Sequence, residues 1–380
     1  MIYIHVPFCH RKCTYCAFYS KPVTHTSEGR RSVISDYVDA LINEMRQRRD
    51  EQAHPIKTVY FGGGTPSILP LSELERIVMA LRGNFDLSQV EEVTLEANPE
   101  DLTEEYLLGL KAMNFVNRLS IGIQSMDDEV LRLIGRRHTA AQAVAAVENA
   151  YKAGFHNLSV DLIYGLPEVG GRKSEVGGDF SYLLPHTSDL ITHVSAYALT
   201  VEPGTALAVQ VEQGRVVLPD EDEVVRQYEW MCKHLEENGF KQYEVSNFAR
   251  PGFHSRHNSR YWDRTPYLGL GPGAHSFTLS DGGSTSVAHG GKRRWNKPDG
   301  TFEEETLSDA DAFNELVMTS LRTTRGLDVN RVPEEYKKKL HQKMQLYLIC
   351  GWVSLIDSFY QPTREGLLHA DGMAASLFLS

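Results

Sequence analysis

The sequence predicts an α/β fold: a partial (β/α)6 barrel, then an α+β region and a small winged-helix-like domain. Three observations support this. Through the first 200 residues, short apolar runs alternate with amphipathic helical patterns, as in parallel strands joined by helices. Glycine-rich or polar segments follow four of the strands, where barrel folds place their sites. Beyond residue 200 the sequence becomes rich in aromatic residues and glycine, and the last 80 residues show mainly helical periodicity. The expected domains are 1–205, 206–300 and 301–380.

Six strand-then-helix units make up the predicted barrel, and their periodicity sets the bounds. The expected strands are Ile2–Val6, Thr58–Phe61, Glu92–Glu96, Arg118–Gly122, Leu158–Ile163 and His193–Leu199. The expected helices are Val33–Arg48, Leu71–Leu81, Glu104–Met113, Asp127–Ile134 with Ala140–Lys152, and Glu175–Leu184. The glycine pairs in Glu168–Asp179 weaken the start of the last helix.

Residues beyond 200 are predicted to cover and extend the barrel. The order of helices and strand in the last 80 residues predicts the winged-helix-like domain. This segment has 8 basic and 12 acidic residues, so a structural or docking role is favoured over DNA binding. The expected elements are a connecting arm (Val201–Leu218), a helix (Glu221–Asn238), an aromatic stretch (Tyr243–Phe277), a hairpin (Ser280–Lys297), helices Asp309–Thr323 and Glu334–Ile349, a strand (Trp352–Ile356) and a helix (Glu365–Leu379).

Composition narrows the functional classes. With 50 acidic against 39 basic residues the net charge is −11, which argues against a nucleic-acid partner. No apolar run reaches the length of a membrane span, and the start lacks a signal-peptide pattern, so a cytoplasmic protein without an integral membrane segment is expected.

Three of the five cysteines, Cys9, Cys13 and Cys16, form a C-x3-C-x2-C motif. Cysteine thiolates are the usual ligands of iron–sulfur clusters. Three thiolates would hold three irons of a [4Fe–4S] cluster and leave the fourth iron open to the amino and carboxylate groups of S-adenosylmethionine (SAM). Electron transfer from the cluster can then break a carbon–sulfur bond of SAM. Cys232 and Cys350 stand alone and are expected to be buried small hydrophobic residues.

Three other interpretations of the motif stay open. A structural zinc could use the three cysteines with His5 or His10, although zinc ligands usually come as two separated pairs. A redox pair at Cys13 and Cys16 would need no third thiol. A helix could bury all three cysteines, although Pro7 and the basic residues between them make an apolar face a poor fit.

With these cysteines, further motifs make the chain resemble the radical SAM coproporphyrinogen oxidase family. The resemblance covers nearly the whole chain. It rests on Tyr3–Cys9, Gly62–Pro66, Glu96–Pro99, Ile121–Ser125, Asp161–Pro167, Tyr197–Thr205, Tyr243–Ala249 and Gly269–Ser276.

The resemblance implies the residues that contact SAM. Tyr3 and the turn containing Gly63, Gly64 and Thr65 would lie against it, and Glu96 would hydrogen-bond it. Four further positions match residues that line a second SAM or substrate pocket in the family: Tyr15, Gln124, Arg136 and Asp161. By residue type alone, Arg136 could be a surface charge at a helix end and Asp161 a hydrogen-bond partner at a strand end.

Departures from the oxidase pattern favour the other branch of the family, the HemW-type heme chaperones. Phe18 stands where the oxidases have a fourth cysteine, and the chain begins only a few residues before Cys9, without the oxidases' N-terminal extension. One position also departs from the chaperone branch: Ala17 stands where an aspartate is frequent in that branch.

A histidine motif also points to the chaperone branch. Residues 257–262, HNSRYW, fit the H-N-x-x-Y-W pattern associated with heme binding there. His257 could be an axial heme ligand, since imidazole commonly ligates heme iron. It could equally be a buried histidine within a turn, with His254, His275 and His289 as rival ligands.

The first functional hypothesis is a radical SAM heme chaperone that binds a [4Fe–4S] cluster, SAM and heme and transfers heme to an acceptor. The alternative is an oxygen-independent coproporphyrinogen III oxidase of porphyrin biosynthesis, and a third is an activity that methylates or opens heme. Expected partners are heme or a porphyrinogen, a heme-accepting protein, and an electron donor such as a flavodoxin or ferredoxin.

Overall fold

The computed structural model describes residues 1–23, 32–52, 55–167, 183, 186–279 and 290–379. The expected helix Glu175–Leu184, apart from Leu183, and the segment Glu168–Asp179 lie outside these residues. So do residues 280–289 of the expected hairpin, which include the rival heme ligand His289. Among the described residues, none of the helices combines the length and hydropathy that a bilayer span needs.

The barrel elements follow the predicted order, with helix and strand ends that differ by up to three residues. The six predicted barrel strands are buried along most of their length, and the helices cover the sheet with apolar stripes. The elements are β1 (Ile2–Val6), β2 (Phe8–Cys9), β3 (Lys21–Pro22), α1 (Val33–Arg48), β4 (Thr58–Gly63), α2 (Leu71–Asn84), β5 (Glu92–Ala97), α3 (Glu104–Ala112), β6 (Arg118–Gln124), α4 (Asp128–Leu133), α5 (Ala140–Lys152), β7 (Leu158–Tyr164) and β8 (His193–Ala198).

The middle of the chain continues this sheet. It also contains a helix, α6, within the segment that the sequence predicts to be a connecting arm. Thr205 caps α6, because its side chain accepts from the backbone N–H of Ala208. The elements are α6 (Ala206–Glu212), α7 (Glu221–Glu237), β9 (Lys241–Gln242), β10 (Asn247–Ala249), α8 (Arg256–Trp262), β11 (Leu268–Leu270), β12 (His275–Leu279), β13 (Gly291–Asn296) and β14 (Phe302–Leu307).

Nine strands of the described residues form one sheet in the order β11-β1-β4-β5-β6-β7-β8-β10-β9. The six predicted strands pair in parallel and in chain order, which confirms the partial (β/α)6 barrel. The middle segment adds β11, parallel to β1, at one edge, and β10 and β9, antiparallel, at the other. A separate antiparallel sheet, β12-β13-β14, packs beside β11 and continues to Leu307.

The C-terminal elements form a small domain with its own core. A three-stranded sheet, β15-β17-β16, packs with helices in the winged-helix-like arrangement. The elements are α9 (Asp309–Leu321), β15 (Leu327–Asp328), α10 (Glu334–Ile349), β16 (Val353–Ile356), β17 (Phe359–Pro362), α11 (Arg364–Leu368) and α12 (Ala370–Leu377).

Two sequence expectations are wrong in this domain. The single last helix is divided at His369, whose ring stacks on Trp352 with centroids 3.9 Å apart and whose backbone leaves the helical region. Cys350 is exposed rather than buried, because it follows α10 at the turn of Gly351, beyond the buried face of the helix. Cys232 is buried, as expected.

Candidate cysteine and cofactor site

The three clustered cysteines lie in a loop at the carboxyl end of β1. The short parallel pair of β2 and β3 closes this loop: the Lys21 N–H donates to the Pro7 carbonyl (2.7 Å) and the Val23 N–H to the Cys9 carbonyl (2.9 Å). A further backbone hydrogen bond, from Thr14 to Ile134 (3.0 Å), fastens the loop beside α4. The loop is therefore held at both ends and in its middle.

All three thiols are free and half-buried. The Thr65 hydroxyl lies 3.4 Å from Cys9 Sγ, and Arg136 Nη1 lies 3.6 Å from Cys13 Sγ. Burial first, and then the nearby Cys13 and Cys9, raise the pKa of Cys16, against a backbone hydrogen bond at Phe18 that lowers it. Within the described ranges, no three His, Cys, Asp or Glu side chains gather around the position of a single metal ion.

The glycine turn after β4 packs directly on this loop. Gly63 has φ of 109°, and a Cβ there would fall 2.6 Å from the His5 ring. A Cβ on Gly64 would fall 2.5 Å from the Phe8 carbonyl oxygen. Real side chains avoid such distances, so both positions require glycine. The turn therefore fixes the position of the cysteine loop in addition to any contact with a ligand.

A cavity of about 500 Å³ opens between the loop and the carboxyl ends of the barrel strands. Eleven of the thirteen site residues that the sequence indicates line this cavity, although they come from six separate segments. They are Cys9, Cys13, Tyr15, Cys16, Gly63, Gly64, Thr65, Glu96, Gln124, Arg136 and Asp161.

The half-buried carboxyl groups of Glu96 and Asp161 face the cavity. Burial raises the pKa of Glu96 to about 7, although the Tyr60 hydroxyl donates a hydrogen bond of 2.7 Å that favours the ionised form. Burial also raises the pKa of Asp161, against hydrogen bonds from Ser120 and Ser195 that lower it. Such groups suit a ligand that brings its own positive charge.

Arg136 is half-buried and hydrogen-bonded to the strand ends that line the cavity, so it is not a surface charge at a helix end. Its guanidinium donates to Asn98 Oδ1 (2.7 Å) and the Gly122 carbonyl (2.5 Å), and its Nε has no hydrogen-bond partner in the described part of the chain. Nearby Gln124 has φ of 73°, where the register of β6 and β7 shifts, and this bulge directs its side chain toward the cavity.

Sequence reasoning missed several polar residues of the cavity wall. Tyr60, Ser120 and Ser195 are polar residues within otherwise apolar strands, and they line the cavity. Period-2 counting along each strand could have found them, because alternate residues of a barrel strand face its interior. Arg118, Asn98 and Tyr197 also line the cavity.

The two remaining indicated residues lie outside this cavity. Tyr3 lines a neighbouring cleft and donates toward His5 Nδ1 (3.1 Å). His257 is fully buried on α8, with Thr58 Oγ1 2.9 Å from its Nδ1 and the Tyr261 hydroxyl 3.0 Å from its Nε2. Both of its ring nitrogens therefore have protein partners, and an iron would have to displace one of them.

The neighbouring cleft measures about 720 Å³ and lies between the cysteine loop, the β12-β13-β14 sheet and α9. Ala17 and Phe18 line both the cleft and the cysteine cavity, so the loop is their common wall. The remaining lining residues are largely aromatic, with two arginines.

Comparison with known proteins agrees with this architecture. Residues 3–173 match the model of the radical SAM superfamily, and residues 307–369 match the HemN C-terminal domain. The solved structure of coproporphyrinogen III oxidase (HemN) from Escherichia coli superposes with a TM-score of 0.77 over 99% of this chain and 89% of that one, at 21% identity, which shows a shared fold.

Relatives over nearly the full length are more similar in sequence. "Heme chaperone HemW" from Lactococcus lactis is 36% identical over 88% of this chain and 84% of its own, and its namesake from Mycobacterium tuberculosis is 35% identical over 99% and 94%. A mouse protein named radical S-adenosyl methionine domain-containing protein 1, mitochondrial, is 38% identical over 97% and 82%. This chain belongs to the HemW family of radical SAM proteins.

Proposed function

We propose that this protein is a heme chaperone that holds a [4Fe–4S] cluster on Cys9, Cys13 and Cys16, binds SAM beside it, binds heme, and passes heme to an acceptor protein. The observation that carries the proposal is the convergence of three free thiols on one cavity with the half-buried residues Glu96 and Arg136. The names of the relatives add the heme function.

The donor set fits the cluster. Three thiols supply three of the four cysteine ligands that such clusters usually have, and the cavity beside them leaves room for a ligand at the fourth iron. When reduced, the cluster would supply an electron to SAM. The protein's own residues would position SAM: Glu96 would accept a hydrogen bond from its amino group, and the Gly63–Thr65 turn would let backbone groups approach it.

The surface beside the cluster suits an acidic electron donor such as a flavodoxin or ferredoxin. Arg11 and Lys12 are exposed between Cys9 and Cys13 and line the mouth of the cavity. Positive charge at this position attracts an acidic partner and raises the rate of encounter. The chain as a whole is negative, so the local basic pair would direct that partner to the cluster.

The cluster is tested by anaerobic iron–sulfur reconstitution of the full chain, with iron and sulfide counted and the absorbance and EPR spectra recorded. We expect about four irons per wild-type chain. Replacement of all three clustered cysteines by alanine abolishes the cluster, while Cys350→Ala, which changes an exposed thiol far along the chain, retains it. A wild-type protein that takes up one zinc and no cluster contradicts the proposal.

Heme function is tested with the reconstituted protein. Hemin is titrated anaerobically and followed by Soret absorbance, and the loaded protein is mixed with a heme-free b-type cytochrome. Stoichiometric binding and a rise in holocytochrome that depends on the chaperone are expected. The competing oxidase activity is assayed with coproporphyrinogen III, SAM and a reductant. Turnover to protoporphyrinogen would replace the chaperone proposal.

A further inference from the structure

We propose that heme docks in the 720 Å³ cleft beside the cysteine loop and that the imidazole of His275 binds its iron. This inference rests on the proposed heme function and deepens it, because it names a site and a ligand that the histidine motif at 257–262 does not include. His275 has an open imidazole, and the cleft beside it has a shape and lining suited to heme and shares a wall with the cysteine cavity.

The histidines near the cleft differ in whether a ring nitrogen is free. His5 has both nitrogens occupied, by the Tyr3 hydroxyl (3.1 Å) and the Tyr19 carbonyl (2.9 Å). Both ring nitrogens of His257 likewise have hydrogen-bond partners, and the side chain is buried. His275 is exposed, and its imidazole makes no hydrogen bond within the residues that the structure describes. Only an unoccupied nitrogen can bind iron without breaking an existing contact.

His275 is held at the wall of the cleft by its strand. It begins β12 opposite Trp295 of β13, and the planes of the two rings are inclined by 29° with centroids 6.2 Å apart. Its neighbour Ser276 is buried and hydrogen-bonded to Gly269 of β11 and to Arg48. Strand pairing and the hydrogen bonds of the adjacent serine therefore hold the backbone at 275 in place, while the imidazole stays available to a ligand.

The cleft suits a flat amphipathic macrocycle. Its volume lies within the roughly 300–1,000 Å³ of small-molecule and cofactor sites. Phe18, Tyr19, Tyr267, Phe277 and Trp295 supply aromatic surface. Aromatic groups prefer offset-stacked or edge-on packing, both of which a porphyrin plane offers.

The charges of the cleft suit the carboxylates of the heme edge. Arg264 and Arg293 both contact the carboxylate of Glu315, which leaves one net positive charge in the group. The Arg293 side chain is 43% exposed, so it can also reach a heme propionate. Arginine is well suited to such contacts because its planar fork matches a carboxylate.

The cleft also lies directly beside the cavity of the three cysteines. Phe18 is 71% exposed and, with Ala17, separates the cleft from the cavity of the three cysteines. A macrocycle in the cleft would lie against the outer side of the segment whose inner side faces the cluster. A change in the cysteine loop would therefore alter the wall of the heme site directly.

The test compares hemin with metal-free protoporphyrin IX on the full, cluster-reconstituted chain. Hemin binding is followed by Soret absorbance and by EPR of the ferric iron, and protoporphyrin binding by fluorescence. The variants are His275→Ala, His257→Gln, Trp295→Ala and, as a control, His156→Ala, which changes an exposed histidine just before β7, at the other end of the barrel strands. Circular dichroism and thermal unfolding check that each variant is folded.

We expect His275→Ala to remove the histidine-ligated EPR and Soret signals and to raise the hemin Kd about tenfold or more, since even outer groups of metal sites are worth about tenfold. Protoporphyrin binding should stay unchanged in that variant, because the cleft is intact and only the ligand is gone. Trp295→Ala should weaken both molecules, while His156→Ala and folded His257→Gln should leave both unchanged. Added imidazole should restore the spectrum of His275→Ala.

Three different results would overturn either this inference or the proposed heme function on which it rests. Unchanged hemin spectra in His275→Ala exclude this ligand. Loss of the signal in folded His257→Gln alone assigns the ligand to the histidine motif and leaves the chaperone proposal standing. Absence of stoichiometric hemin binding by the wild-type protein removes the proposed heme function itself.

Discussion

Gly64 lies against the backbone of Phe8 so closely that a Cβ would fall 2.5 Å from the Phe8 carbonyl oxygen. This contact joins the turn after β4 to the start of the cysteine loop. Because the opposing atoms are backbone atoms, they cannot turn aside as a flexible side chain could. The position of the cysteines therefore depends on a residue 48 positions beyond Cys16 in the chain.

Gly64→Ala is expected to displace the cysteine loop. Overpacking of this kind costs about 1–3 kcal/mol of the free energy of unfolding, and the iron content after reconstitution should fall with it. Chemical unfolding and iron analysis measure the two effects. The matched control is Gly83→Ala in α2, where a Cβ meets nothing within 4 Å and helix propensity should raise stability by up to about 1 kcal/mol. Wild-type iron content in Gly64→Ala would contradict the packing argument.

Glu96→Gln is expected to weaken SAM binding. Hydrogen bonds to charged groups contribute about 1.5–3 kcal/mol, so the Kd for SAM should rise roughly ten- to hundredfold. Calorimetry on the cluster-loaded protein measures it, with the exposed Glu105→Gln as control. Equal SAM affinity in both variants would show that Glu96 has only a structural role with Tyr60.

The free energy of unfolding is expected to depend on pH because of the buried carboxyl group of Glu244. It is buried where the middle segment meets α9, and burial raises its pKa to about 7 despite hydrogen bonds from Asn247 and Ser246. Between the ordinary carboxyl value and pH 7, the unfolded chain has released this proton and the folded chain has not. Stability is therefore greatest below that range, falls as the pH rises to 7, and then levels off.

Glu244→Gln should remove this loss. The variant is expected to equal the wild type near pH 4 and to exceed it by up to about 3 kcal/mol at pH 8, which is an upper estimate from the shift of the pKa. Urea unfolding at several pH values measures the difference. The exposed Glu237→Gln serves as control and should follow the wild-type curve. A pH-independent difference would mean that Glu244 is ionised in the folded protein.

His257→Ala should destabilise the barrel whatever its relation to heme. The imidazole bridges Thr58 of β4 and Tyr261 of α8, so its removal leaves a cavity and two unpaired hydroxyl groups. A loss of about 2–4 kcal/mol is expected from unfolding experiments. The control is His254→Ala, which changes an exposed ring stacked on Tyr243 and should cost less than about 1 kcal/mol. Equal losses in the two variants would contradict the structural role.

The main elements of the barrel could be predicted from the sequence because its strands and helices have strong periodic patterns. Short elements without such patterns could not. β9, β10 and β11 have two or three residues each, too few to show an alternation, and their place at the sheet edges depends on distant partners. The helix Ala206–Glu212 was missed for a similar reason, since its buried residues are few.

In the candidate site, too, the local features could be predicted from the sequence and the non-local ones could not. The spacing of Cys9, Cys13 and Cys16 is local, so the sequence by itself determined the cluster motif and, with the surrounding motifs, the family. The contacts of Arg136 and the contact of His257 with Thr58 are not local: these partners lie 14 to 199 positions away, and burial decides which atoms remain open. Only the tertiary structure showed that His257 is satisfied and that His275 faces a cleft. The physical reason is that a ligand needs an unpaired donor at a surface, and pairing and exposure are properties of the packed chain.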